Sequence, residues 1–342
     1  MQKENSKVNI LISGGAGFIG SHLVDLLLEM GYSVTVLDNL INGSEENLSK
    51  AKNHSSRFEF IQGDILDSLI CFKIMKNIDY VFHLACLGVR HSIHSPLENH
   101  KVNAEGTLNL LTAAKNKDIK HFFYISTSEV YGKTISFPIS ESAPTNPITV
   151  YGASKLAGEY YSLAFFECYK LPVTIMRIFN NYGPRAHYEG DAGEIIPRSI
   201  VRALYNEQPI IFGDGKITRD FFYVKDTAAV LAQFLLMAQT DRQREIVAQT
   251  FNIGNGTEIN LRDLLLALLD IMGKSSLGLK YLGDRPADVP RLWVNPSKFN
   301  AITNFKSAYS LEKGLIETVD YYRKLSSSKN LINEIAIKNW EK

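Results

Sequence analysis

Cysteine is scarce in this chain of 342 residues, which has only Cys71, Cys86 and Cys168. Three widely spaced cysteines do not make a disulfide framework, and none has the close neighbours that a zinc site requires. The sequence therefore favours a reducing compartment, and we expect no metal site.

An excess of one charge is also missing, since 37 lysines and arginines face 36 aspartates and glutamates and the formal net charge is +1. That balance provides no extended basic surface for nucleic acid or for an anionic membrane, although it is compatible with a local basic pocket. We therefore expect neither nucleic acid nor a membrane as a partner.

Long hydrophobic runs are absent as well. The longest run, Ala228 to Ala238, is interrupted by Gln233 and falls short of the ~20 residues that span a bilayer. The apolar stretch near the N-terminus, Val8 to Ile12, is shorter than the ~7–15-residue core of a secretory signal. With 45% hydrophobic and 21% charged residues, the composition is globular, and we expect a cytoplasmic protein.

Short β-rich runs alternate with longer helical patterns through the first half of the chain. The helical candidates are Ser21–Met30, Asn103–Lys117 and Val150–Lys170. Strands that alternate with helices of this length predict an α/β fold with a Rossmann-type doubly wound parallel sheet. The expected strands are Val8–Ser13, Ser33–Asp38, Arg57–Gln62, Tyr80–Leu84, His121–Ser126 and Val173–Ile178.

The character of the sequence changes after residue 178, where tight loops appear among mixed helices and short strands. We expect a first domain over residues 1–178 and a smaller mixed α/β substrate domain over residues 179–325. A loosely attached tail is expected over residues 326–342. A segment near residues 220–255, with Phe251–Ile253 as a buried strand, is expected to return to the first domain, so that the two are interleaved.

The loop that contains Gly14, Gly17 and Gly20 follows the first expected strand and precedes a helix. Such glycines let backbone N–H groups approach a pyrophosphate at the helix N-terminus. Asp38 ends the second strand, where a carboxylate can accept both ribose hydroxyls of NAD and would repel the 2′-phosphate of NADP. Asp64 ends the third strand, where adenine is expected, with a turn-forming role as the alternative. The pattern predicts an NAD site.

Tyr151 and Lys155 lie one helical turn apart, on one face of an expected helix. A phenol has a pKa near ~10, and a neighbouring ammonium together with an oxidised nicotinamide favours the phenolate. Lys155 can also hold the nicotinamide ribose. The alternative is a surface helix pair, but behind a dinucleotide loop the pattern predicts a catalytic base.

Thr127, Ser128 and Glu129 follow the strand that should present its carboxyl end to ligands. Thr127 has a hydroxyl that can hydrogen-bond a substrate alcohol and pass its proton toward Tyr151. Glu129 fits a base aimed at a carbon next to a transient ketone, with a solvated strand-end carboxylate as the alternative. These residues are therefore candidate catalytic groups.

Together these motifs resemble the extended short-chain dehydrogenase/reductase family and, within it, the nucleotide-sugar epimerases and dehydratases. The resemblance extends from Asn9 to about Tyr322 and implies NAD as the cofactor. Further residues in the matching segments are then expected at the cofactor, namely Phe18, Ile19, Asn39, Ile65, Leu84 and Ala85.

The resemblance also implies a nucleoside-diphosphate sugar as substrate. Asn180 and Arg185 stand in a segment similar to the family's diphosphate loop, and Arg219 and Arg285 stand at its arginine positions. Guanidinium groups suit a diphosphate, which carries about two negative charges. Ion pairing of these arginines with Asp220 or Asp288 at the surface is the alternative.

Three reactions can follow oxidation of the sugar at carbon 4. A 4-epimerase needs no further base, a 4,6-dehydratase needs a base at carbon 5 and an acid at the 6-hydroxyl, and a UDP-glucuronate decarboxylase loses carbon dioxide. The segment Thr127-Ser128-Glu129 resembles the last two groups, although Ser128 replaces the aspartic acid of many dehydratases. A 4,6-dehydratase is favoured narrowly over a 4-epimerase, with the decarboxylase third.

A catalytically silent nucleotide-binding protein is the non-enzyme alternative, and it would be expected to have lost Tyr151, Lys155 or the glycines. The family usually forms homodimers through two helices per subunit. The helices Asn103–Lys117 and Val150–Lys170 are the candidates here.

Overall fold

The computed structural model describes residues 8–54 and 56–341. The expectation that no secretory signal begins the chain rests partly on residues 1–7, which lie outside this part. No helix within the described residues is long and apolar enough to cross a membrane.

The core of the molecule is a seven-stranded sheet in which every neighbouring pair of strands is parallel. Every residue of its central strands β4, β5 and β6 is buried, as is usual when helices cover both faces of a parallel sheet. The spatial order β3-β2-β1-β4-β5-β6-β11 confirms the expected Rossmann-type fold. The strands are β1 (Asn9–Ser13), β2 (Ser33–Asp38), β3 (Phe58–Gln62), β4 (Tyr80–His83), β5 (His121–Thr127), β6 (Val173–Ile178) and β11 (Gln249–Ile253).

Helices cover both faces of this sheet and create two apolar cores. One core joins the sheet to α1 and α8, and the other joins it to α2, α5 and α6. Leucine and valine recur at helical spacing in α1, which explains why one side of it is buried. The helices of this part are α1 (Phe18–Glu29), α2 (Ser68–Ile74), α3 (Val89–His94), α4 (Pro96–His100), α5 (Gly106–Lys115), α6 (Val150–Tyr169), α8 (Val224–Ala238) and α10 (Ser297–Thr303).

A second part of the chain packs around an apolar core of its own. Its strands form small sheets that pair β7 with β10, β8 with β13, and β9 with both β12 and β14. Its elements are β7 (Asn180–Tyr182), α7 (Ile195–Leu204), β8 (Ile210–Phe212), β9 (Thr218–Arg219), β10 (Phe221–Tyr223), β12 (Ile259–Asn260), α9 (Leu261–Ile271), β13 (Lys280–Leu282), β14 (Arg291–Leu292) and α11 (Leu311–Ser326).

The chain returns to the large sheet after entering the second part. β11 pairs in parallel with β6, which confirms the expected buried strand at Phe251–Ile253. α8 also returns to this part and packs against α1. The expected helix Asn103–Lys117 is shorter, because a π-helical turn, Lys101–Glu105, precedes α5. Asn103 belongs to that turn, and its side-chain amide donates to the carbonyl of Leu87, which precedes α3.

The expectation of a loosely attached tail is wrong for the described residues. Leu331 and Trp340 are buried, and the Trp340 ring lies 4.8 Å from the Phe212 ring at the end of β8. The side chain of Asn339 donates to the carbonyls of Gly190 and Gly193. The tail therefore packs on the second part of the molecule.

Candidate active site

A cleft of about 480 Å³ lies at the carboxyl ends of the strands of the large sheet, between the two parts of the molecule. This is where ligands bind in doubly wound α/β folds. It is lined by most of the residues that the sequence predicted: Gly14, Gly17, Phe18, Ile19, Gly20, Asp38, Asn39, Asp64, Ile65, Leu84, Ala85, Thr127, Ser128, Glu129, Tyr151, Lys155, Asn180, Arg219 and Arg285.

The glycine-rich loop between β1 and α1 leaves no room for side chains. Gly14 has a φ of +75°, and a Cβ there would lie 2.6 Å from the backbone nitrogen of Ala85. A Cβ at Gly20 would lie 2.2 Å from the carbonyl oxygen of Gly14. No side chain caps α1 at Gly17, so the first N–H groups of the helix are left for a ligand at this end of the cleft.

Asp38 and Asp64 close the other end of the cofactor region. The Asp38 carboxylate accepts hydrogen bonds from the backbone N–H groups of Ala16 and Leu40, each at 2.9 Å, and thereby ties β2 to the glycine-rich loop. Burial raises the pKa of Asp38, and these two hydrogen bonds oppose the shift. Asp64 accepts from the Asn39 amide at 2.9 Å and from the Leu66 N–H at 2.8 Å, so it forms a turn and also faces the cleft.

Tyr151 and Lys155 lie on the buried side of α6, beside Thr127 at the end of β5. Burial raises the pKa of Tyr151 well above its ordinary value, while a hydrogen bond with the Thr127 side chain lowers it. The Lys155 ammonium lies 4.3 Å from the centre of the Tyr124 ring, and burial lowers its pKa. The protein's own side chains therefore favour the protonated phenol. We still predict that an oxidised nicotinamide beside it would lower the pKa of Tyr151.

Ser128 and Glu129 begin the short 3₁₀ turn that follows β5, and the Glu129 N–H donates to the Thr127 hydroxyl at 3.2 Å. Burial raises the pKa of Glu129, and the charges of Arg219 and Arg285 partly offset this effect. None of the described residues donates a hydrogen bond to its carboxylate. Glu129 is therefore a half-buried, unengaged carboxylate that faces the cleft, and its role as a base stays a prediction.

The far end of the cleft is basic. Asp288 Oδ1 accepts from Arg219 at 2.6 Å and from Arg285 at 2.8 Å, so two guanidinium groups share one carboxylate oxygen. Asn180 also lines the cleft.

Arg185 requires a correction, because it is not among the residues that line the cleft. Its guanidinium donates to Asp25 of α1 at 2.8 Å, and both side chains are largely buried. Arg185 therefore fastens the loop after β7 to α1 and is not placed to bind substrate.

The sequence motifs missed several charged residues of this cleft, among them Arg90, Glu194 and Arg198. Arg90 in α3 lies 3.2 Å from Glu194, which precedes α7, and it also donates to the carbonyl of Gly193. No spacing rule points to these residues, because they come from α3 and from the loop and helix after β7. Only the tertiary structure brings them together.

The comparisons with known proteins agree with this geometry. The model of the GDP-mannose 4,6-dehydratase family matches residues 11–318. A putative UDP-glucose 4-epimerase from Methanocaldococcus jannaschii is 36% identical over 92% of this chain and 98% of its own length. The chain belongs to the nucleotide-sugar epimerase and dehydratase group of the extended short-chain dehydrogenase/reductases.

Other members of this family carry different activities in their names. A dTDP-glucose 4,6-dehydratase from Streptomyces venezuelae, solved with NAD and TYD bound, superposes with a TM-score of 0.87 at 29% identity and covers 95% of this chain and 100% of its own. A UDP-glucuronic acid decarboxylase 1 from Xenopus tropicalis is 31% identical over 94% of this chain and 73% of its own length. Membership thus fixes a nucleotide-sugar enzyme without choosing among the three reactions.

Family membership confirms NAD, the expected cofactor. The residues present fit it, because the glycine-rich loop leaves space that any Cβ would fill and Asp38 faces the same region. The loop with Gly14, Gly17 and Gly20 would hold the pyrophosphate, and Asp38 the adenosine ribose.

Proposed function

We propose that this protein is an NAD-dependent nucleoside-diphosphate-sugar 4,6-dehydratase. The observation that carries this proposal is the half-buried, unengaged carboxylate of Glu129, which lines the cleft beside Thr127 and Tyr151. Dehydration requires a base at carbon 5 of the sugar, and simple 4-epimerisation does not.

The cofactor would bind between the glycine-rich loop and Lys155, whose ammonium is placed to hold the nicotinamide ribose. When bound, NAD accepts a hydride from carbon 4 of the sugar and later returns it. The protein's own part is to position the sugar and to move protons.

Tyr151 would remove the proton of the 4-hydroxyl, with Thr127 hydrogen-bonded to the phenol and orienting it. The resulting carbonyl at carbon 4 acidifies the hydrogen at carbon 5. Glu129 would take that proton, and its raised pKa strengthens it as a base as long as the carboxylate is ionised.

The 6-hydroxyl then leaves as water and needs a proton. Ser128 is buried and lines the same cleft as Glu129, and in this proposal its hydroxyl would relay a proton that Glu129 has taken. This arrangement would let one carboxyl group serve as base and then as acid, which removes the need for the aspartic acid that Ser128 replaces. Carbon 6 would then receive the hydride, and carbon 5 would take a new proton from solvent.

A 4-epimerase is the second candidate, because relatives with that name include one at 36% identity. In that case Tyr151 and Thr127 would have the same roles, and Glu129 would have no proton to take. The decarboxylase reading is third and would require a glucuronic acid as the sugar.

The test is incubation of the NAD-loaded protein with UDP-, dTDP-, GDP- and CDP-linked sugars in deuterated water, followed by NMR. Deuterium at carbon 5 together with loss of the 6-hydroxyl is the expected result. Inversion at carbon 4 without solvent label would establish the epimerase instead, and a pentose product the decarboxylase. A protein that binds no dinucleotide would refute all three reactions.

A further inference from the structure

Arg198 lies at the end of the first turn of α7 and lines the same cleft as Arg219 and Arg285. Within residues 8–54 and 56–341 it forms no ion pair with a carboxylate. Its guanidinium donates instead to the carbonyl oxygens of Ala336 and Ile337, the latter at 3.0 Å. Arg198 therefore carries its charge at the edge of the cleft without a directly bound carboxylate, and Glu194 acts on it only through space.

Other guanidinium groups surround Arg198. Burial and the nearby charges of Arg90, Arg202 and Arg285 lower the pKa of Arg198 to about 10, against the smaller opposing effect of Glu194. Like charges that are gathered in this way repel one another, and an anion that enters among them relieves the repulsion.

The charged groups of the cleft suit a diphosphate. Arg219 and Arg285 share the single carboxylate of Asp288. Arg90 and Arg202 each pair with a glutamate, whereas Arg198 pairs with no carboxylate of the described residues. Arg198 can therefore meet the phosphate oxygens of a nucleoside diphosphate without first giving up an ion pair.

The tail segment of residues 331–340, here named the C-terminal clasp, fixes the surroundings of Arg198. Trp340 packs on Phe212, which lines the cleft, and Asn339 donates to the carbonyls of Gly190 and Gly193 at 3.2 and 3.1 Å. The clasp thereby holds the loop that precedes α7 and supplies the two carbonyls that orient the Arg198 guanidinium.

We propose that Arg198 binds the diphosphate of the nucleotide sugar and that the C-terminal clasp positions its guanidinium. This inference rests on the proposed function, because it assumes a nucleoside-diphosphate substrate. Arg198 is a binding residue in this scheme, and Trp340 and Asn339 act through it.

Calorimetric titration of the NAD-saturated, full-length protein with UDP, dTDP, GDP and CDP tests the binding role. Arg198→Gln should raise the Kd for the diphosphate that the wild type binds by about 10- to 100-fold, because one charge-assisted contact is lost. Arg198→Lys should recover part of this affinity. The affinity for the nucleoside monophosphate with the same base should fall less in Arg198→Gln than the affinity for the diphosphate. Arg323→Gln, which removes an exposed arginine of α11 with the same change in net charge, should bind like the wild type.

A double-mutant comparison tests the clasp. Trp340→Ala should weaken diphosphate binding and raise KM with little change in kcat, but it should cause no further loss in the Arg198→Gln background. Asn339→Ala provides the same comparison if Trp340→Ala does not fold. Additive losses would overturn the positioning role of the clasp.

The two levels of the proposal fail in different ways. If the wild type binds a nucleoside diphosphate and Arg198→Gln binds it equally well, the inference about Arg198 is wrong and the proposed function stands. If the wild type binds none of the four diphosphates, the proposed function itself is wrong.

Discussion

Glu129 and Tyr151 lie in the same site, and burial raises the pKa of both groups. For Glu129 this makes the carboxylate a stronger base toward a carbon-bound proton. For Tyr151 it has to be overcome, since only the phenolate can take the proton of the 4-hydroxyl. The hydrogen bond from Thr127 and the positive nicotinamide act in that direction.

Glu129→Gln is expected to lower the rate of dehydration by at least about 100-fold. The first oxidation of the sugar should still occur, because Tyr151 is unchanged. The absorbance of reduced cofactor should still rise after substrate is added, and NMR should detect no deuterium at carbon 5. Glu167→Gln on the exposed face of α6 is the control. Full turnover by Glu129→Gln would remove Glu129 from the mechanism.

The pH dependence of turnover follows from the same carboxyl group. Because the pKa of Glu129 is raised, the ionised form is lost at a higher pH than for an ordinary glutamate as the solution is acidified. Wild-type kcat should therefore fall as pH decreases through this raised pKa. A kcat profile without that acidic limb would contradict the role of Glu129 as a base.

At the scale of elements, α6 is held to the sheet by a buried ion pair. Arg177 of β6 donates to Glu159 of α6 through two nitrogens, at 2.9 and 2.6 Å, and also to the Tyr131 hydroxyl at 2.8 Å. Glu159 stands one turn after Lys155 on the same side of the helix, so this pair fixes the helix that carries the catalytic residues.

Glu159→Gln should lower the free energy of unfolding by about 3–5 kcal/mol, because it leaves the buried Arg177 without its carboxylate. Urea denaturation measures the change. Glu167 is the matched control, because it pairs with Lys170 at the exposed surface. Glu167→Gln should lower the free energy of unfolding by less than about 0.5 kcal/mol. Equal effects of the two substitutions would show that Glu159 does not anchor the helix.

His22 joins α1 to the loop after β7 by a 2.9 Å contact with the carbonyl oxygen of Pro184. Burial, followed by the charge of Arg185, lowers the pKa of His22 from 6.5 to about 4. A histidine whose pKa is lowered by folding stabilises the protein fully above about pH 6.5, and this contribution is lost as pH falls toward 4.

Between pH 7 and pH 5, the wild type should therefore lose about 2 kcal/mol more unfolding free energy than His22→Gln. Urea denaturation at both pH values measures the difference. His100→Gln, at an exposed position, should keep the pH dependence of the wild type. Parallel losses in all three proteins would contradict the assignment.

The sequence predicted most of the elements that line the cleft, because the glycine-rich loop, Asp38, Tyr151 and Lys155 are local patterns with a fixed relation to strand ends. It missed Arg90, Glu194 and Arg198, whose proximity depends on how α3 and α7 meet across the cleft. It also misplaced Arg185, because a side chain in a loop can turn to either side. The burial of Trp340 was missed for a similar reason, since its partner Phe212 is distant in sequence.

At the scale of the whole molecule, α6 carries two exposed tyrosines. Tyr160 and Tyr169 are 62% and 54% exposed, and Leu97 of the neighbouring α4 is 79% exposed. Apolar groups so exposed along adjoining helices are typical of a subunit interface. They support the predicted homodimer through α6, with α5 as the second candidate helix.

Tyr160→Glu should convert such a dimer to monomers, because it would place a charge in the predicted interface. Light scattering coupled to gel filtration measures the mass. Ile316→Glu on α11, where the replaced side chain is 43% exposed, should leave the mass of the wild type unchanged. A wild type that elutes as a monomer would refute the dimer prediction.

The position of β11 also affects how the protein is made. The ribosome releases β6 long before β11, so a nascent chain that ends near residue 178 has β6 as an unpaired edge with open backbone N–H and C=O groups. Synthesis must proceed past Ile253 before that edge is covered, and the second part of the molecule emerges in the meantime. Translation products truncated between these points are therefore expected to aggregate, and the order of synthesis makes completion of the NAD-binding sheet a late event.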